Sequence, residues 1–135
     1  MNVTTYALAL SLAILPSACA AVPPSVPLAL PPGSNATAAQ HNAAGIAQYE
    51  MQQWSVAREY FGSAIEADPN LAEAHFNLAL TLDKLDLHAE ATTHFKKAAE
   101  LGPHNRAITE SGAFRSHTAS PASSYKKGGW GLRVY

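Results

Sequence analysis

The sequence has only one cysteine, Cys19, in 135 residues. No internal disulfide can form, and no Cys-x-x-Cys pair exists for metal or redox chemistry. It also lacks any run long enough to cross a bilayer: the most apolar stretch, Tyr6 to Leu15, has ten residues, against the roughly 20 that are required. No phosphate-binding loop, dinucleotide-binding glycine pattern or nucleophile elbow is present. Six histidines occur, at 41, 75, 88, 94, 104 and 117, but no two stand four apart, the spacing that puts two ligands on one helix face. These absences lead us to expect no catalytic residue, no metal site and no cofactor. The chain reads as a binding protein and not an enzyme.

Charge is scarce where it would matter for nucleic acid. Residues 1–37 carry no charged side chain, and residues 38–110 hold all ten acids against five bases. Arg115, Lys126, Lys127 and Arg133 then form a basic tail without an acid. Phosphate contacts need clustered Lys and Arg, so an acidic body argues against a nucleic-acid partner.

What is present begins with an export pattern over residues 1–20. The apolar stretch is followed by the helix-breaking Pro16 and then by Ser17-Ala18-Cys19-Ala20-Ala21, which contains the small-x-small motif of a cleavage site. Two outcomes stay open, cleavage after Ala20 and lipidation at Cys19. Pro16 stands where a lipoprotein signal would have Leu. The expected location is the periplasm or envelope, with Cys19 as the membrane tether if it is lipidated. Residues 21–37 contain five prolines and no charge, which favours an extended linker over a helix.

The centre of the chain repeats itself. Written above residues 72–105, residues 38–71 match at an offset of 34: Ala57 with Ala91, Phe61 with Phe95, Ala64 with Ala98, Pro69 with Pro103, His41 with His75 and Gly45 with Ala79. The spacing of Ala57, Phe61 and Ala64 puts small, large and small side chains on one helical face, where two alanines allow close approach. Pro69 and Pro103 end the helices that precede them. Helices are expected near 38–51, 55–67, 71–84 and 88–101, with Asn70 as an N-cap and Gly102 as a stop. Arg106–Gly112 is expected to form a short cap. Residues 113–135, rich in Ser, Gly and Ala, are expected to be disordered.

A period of 34 with this residue pattern resembles the tetratricopeptide repeat (TPR), a helix–turn–helix unit. The resemblance covers about half the chain. His41 and His75 stand where that family usually has tryptophan, and Gln52 and Asp86 where it has a turn glycine. It implies an all-α fold of two hairpins whose first helices line a concave face. On that face it places Asn42, Ile46 and Tyr49 from the first repeat and Phe76, Leu80 and Asp83 from the second, as an apolar strip for a partner peptide or helix. Asn42 and Asn77 are present, but the basic residues that let some TPR domains grip a carboxylate are not. The implied function is a protein–protein interaction module of the bacterial envelope, accessory to an envelope or secretion assembly. The alternative is a structural protein that stacks end to end with copies of itself.

Overall fold

The structure, a computed structural model, describes residues 25–119, which fold into six α-helices with no strand among them. The expected signal segment, Cys19 and most of the basic tail lie outside the described residues. Helices α1 (Ala36–Glu50) and α2 (Trp54–Ala67) form one hairpin, and α3 (Ala72–Lys84) and α4 (His88–Leu101) a second. Two short helices follow, α5 (Arg106–Thr109) and α6 (Gly112–Thr118).

The repeated residues do the same work in both hairpins. Ala57, Phe61 and Ala64 on α2 are completely buried, as are Ala91, Phe95 and Ala98 on α4. Removing each phenylalanine ring from water contributes on the order of 2–3 kcal/mol. Gly45 explains why the first hairpin closes so tightly. A Cβ there would stand 2.6 Å from Cε1 of Phe61, so only hydrogen leaves room for the ring. Ala79, one period later, is also fully buried.

The turns repeat as well. The chain takes a left-handed backbone at Gln52 (φ 60°) and at Asp86 (φ 59°), positions one period apart. Each helix end is closed by the paired bonds of a Schellman motif. Gln53 N–H donates to Gln48 C=O (2.9 Å) and Gln52 N–H to Tyr49 C=O (3.0 Å). The counterparts are Leu87 to Leu82 (2.9 Å) and Asp86 to Asp83 (3.1 Å).

Helix starts differ from expectation in two places. Asn35 caps α1, its side chain accepting from Thr37 N–H (2.9 Å) and Ala38 N–H (3.2 Å), so the helix begins two residues before 38. Asn70 does not cap α3. Leu71 holds that position without a side-chain bond, while Asn70 N–H donates to the Asp68 carboxylate at 3.1 Å.

The expectation of disorder from residue 113 is corrected over its first six residues, which belong to α6. Ser111 Oγ accepts from Phe114 N–H (3.1 Å), and Ala113 and Phe114 pack against the core. Together α5 and α6 cover residues 106–118, one period after the 72–84 of α3. They stand as a shortened third first-helix, with Ile108 fully buried, and cap the exposed side of α4. Caps of this kind are what a stack of two repeats needs.

Candidate functional site

The side of α1 and α3 that bears Asn42 and Asn77 is not open. Residues Ser25 to Leu30, outside any helix, run across it before a turn at 31–34, where Gly33 takes φ 87° after Pro31-Pro32 and Ser34 N–H bonds to Pro31 C=O (3.2 Å). Two prolines and a positive-φ glycine set this reversal, which delivers the segment back over α1 and α3.

Two buried amides seat the segment. Asn42 on α1 is 1% exposed and Asn77 on α3 is 0% exposed. Asn77 Oδ1 accepts from Leu28 N–H (2.6 Å), and Asn77 Nδ2 donates to Leu28 C=O (2.7 Å). One side chain thus holds both polar groups of one residue, as a neighbouring β-strand would. Asn42 Nδ2 donates to the same carbonyl (3.0 Å), and Asn77 Nδ2 donates to Asn42 Oδ1 (2.8 Å). Buried amides are costly unless paired, and here each side-chain oxygen and nitrogen of the two has a partner in the other or in the backbone of the segment. At its start, Ser25 Oγ accepts from Ala113 N–H (3.2 Å) in the first turn of α6. The segment therefore touches α1, α3 and α6, and the Leu28 side chain packs on the core between them.

Of the expected strip, Asn42 lies at the centre of this cradle. Ile46 and Tyr49 are half-buried against the core. Phe76 and Leu80, expected as open contact residues, are 1% and 3% exposed. Phe76 meets Phe95 edge-on at 5.7 Å, so it is part of the hairpin core. The reason is the asymmetry of α3. It is enclosed by its neighbours and by the segment, and buries every residue from Ala74 to Leu82. Tyr49 stacks edge-on against Trp54 at 4.8 Å. Burial, and secondarily the Asp83 carboxylate, push its phenol above the usual range.

Asp83 is paired with two histidines. Its Oδ1 lies 3.0 Å from His88 Nδ1 on α4 and 3.0 Å from His117 Nε2 on α6. A second histidine pair, His75 and His94, stacks with Nδ1 atoms 3.1 Å apart, and His75 Nε2 meets Pro69 C=O at 3.0 Å. Burial holds both imidazoles below the ordinary histidine range. Lys97 adds to this at His75, as His75 itself does at His94. Among the described residues no buried side-chain polar atom lacks a hydrogen-bond partner.

Leu28 and Asn77 were missed as site residues by sequence reasoning. The available signal was an asparagine set between Phe76 and Leu78 on an apolar helix, a place where an amide must find a partner. No protein-family model matches the chain, and no curated protein is significantly similar to it.

Proposed function

We propose that this chain is an exported TPR-like interaction module that holds an extended, uncharged, proline-containing peptide across its first helices. The observation that carries this reading is the seating of Ser25–Leu30, whose Leu28 is gripped through its backbone by Asn42 and Asn77. A backbone grip tolerates many sequences, while the apolar core on which Leu28 packs selects for an aliphatic side chain. The matching turns at Gln52 and Asp86 and the two Ala-Phe-Ala faces support the repeat reading.

On this reading the chain's own segment is the resident occupant, and a partner peptide from an envelope assembly takes its place. An occupied groove lowers the apparent affinity for any competitor by the fraction of time it is open. The export pattern of residues 1–20 and the position of the segment directly after it support a module held near a membrane. The described helices include none long and apolar enough to cross one.

The test uses the full chain with Leu28→Asp, which unseats the segment by burying a charge. A labelled peptide of sequence SVPLAL is titrated by fluorescence anisotropy. The variant should bind it at least about tenfold more tightly than the parent, about 1.4 kcal/mol. Adding Asn42→Ala and Asn77→Ala should remove that binding. A folded Leu28→Asp chain that takes up no peptide contradicts the proposal.

A further inference from the structure

We propose that Asp83, His88 and His117 form a binding site for a zinc-class divalent cation that fastens α6 to the second hairpin. The three side chains come from three helices, and their ligating atoms all lie within 4.8 Å of one another. Asp83 Oδ1 is 3.0 Å from each of the two imidazole nitrogens it faces. Ligand atoms around a tetrahedral zinc stand about 3.3 Å apart for bonds of about 2.0 Å, so these two separations already suit a shared cation. The His88 side chain is 61% exposed, so no packed neighbour opposes a small rotation that brings its ligating nitrogen nearer to His117.

The hydrogen bonding of His117 is the second observation. Its Nδ1 lies 3.0 Å from the backbone carbonyl of Ala113, one turn back on α6. A carbonyl only accepts, so Nδ1–H donates to it, and Nε2 is left turned to Asp83 as the ring's ligating nitrogen. Two lone pairs facing each other at 3.0 Å need a positive centre between them, supplied by a proton or by a metal ion. A ligating histidine characteristically donates its other N–H to a backbone carbonyl, which fixes the tautomer. His117 has that arrangement and is only 11% exposed at its side chain. At His88 the second nitrogen, Nε2, lies 3.8 Å from the Asp86 carboxylate, too far for a hydrogen bond but near enough for a charge contact.

Two imidazoles and one carboxylate suit zinc or a neighbouring late transition metal over calcium or magnesium, which prefer all-oxygen sites. Three protein ligands leave one position for water or for a side chain from a bound partner. The gain is structural. The cap is a seven-residue helix on a two-repeat stack, and a cation bridging Asp83 and His88 to His117 ties it down.

Metal-free full chain is titrated with zinc chloride by calorimetry, and its melting is followed with and without zinc. One equivalent should bind saturably, and the melting temperature should rise by roughly 10 °C at a hundredfold excess over the dissociation constant. His88→Ala, an exposed position that the fold does not need, should weaken zinc by at least about tenfold, and so should His117→Ala. His94→Ala, which breaks the separate His75–His94 pair, should leave the affinity unchanged. Absence of saturable binding overturns the proposal. So does binding that survives both His88→Ala and His117→Ala, or that is lost with His94→Ala.

Discussion

Gln52 and Asp86 hold the same left-handed backbone at the same place in two successive turns. Asp tolerates this conformation better than Gln, because its short side chain can bond locally, and glycine has no penalty at all. Gln52→Gly should therefore stabilise the protein by roughly 0.5–1 kcal/mol, read from urea unfolding. A loss of stability would show that the Gln52 side chain has a packing role that outweighs the strain. Gly45 behaves in the opposite sense. Alanine is the better helix former by about 1 kcal/mol, but its methyl group would strike the buried ring of Phe61. Overpacking should win, and Gly45→Ala should cost about 1–3 kcal/mol. The paired imidazoles of His75 and His94 add a pH dependence. Burial favours their neutral forms, so the unfolded chain binds more protons than the folded one once pH falls below the ordinary histidine value of about 6.5. Their contribution is present above that value and is lost as pH falls. His94→Gln should flatten the decline in stability between pH 7.5 and 5.5; an unchanged slope would assign the decline to other groups.

At the scale of elements, four helices were legible in the sequence to within two residues, because each carries a period that packing enforces in both copies. Ala57, Phe61 and Ala64 recur as Ala91, Phe95 and Ala98, and all six are fully buried. Ala91→Leu should accordingly cost about 1–3 kcal/mol in a thermal or urea melt, and an unchanged melt would contradict the register. Helix α6 was not legible. Seven residues are too few to be helical on propensity alone, and this one is fixed by the Ser111 cap, by Phe114 against the core and by His117 against Asp83. The cluster Asp83, His88 and His117 escaped for a related reason. Its members come from three helices, so no spacing along one helix announces it.

Considered as a whole molecule, the two hairpins, the cap and the segment Ser25–Leu30 enclose α3 from all sides. The segment was read as an extended linker, because prolines and the absence of charge show no helical or strand period. What places it is a meeting of two amides from helices 35 positions apart with the backbone of a third stretch, which no local pattern encodes. Of the strip, Ile46 and Tyr49 on α1 are half-buried, while Phe76 and Leu80 on α3 are buried in the core. Removing the grip should be felt across the molecule. Asn77→Ala leaves Asn42 and the Leu28 backbone short of partners and should cost about 1–3 kcal/mol. The most direct measurement is hydrogen exchange at the Leu28 amide in the full chain, followed by NMR. A seated segment predicts that this amide exchanges at least about tenfold more slowly in the parent than in Asn77→Ala, about 1.4 kcal/mol. A Leu28 amide that exchanges in the parent as fast as in an unstructured peptide would contradict the cradle and the function built on it.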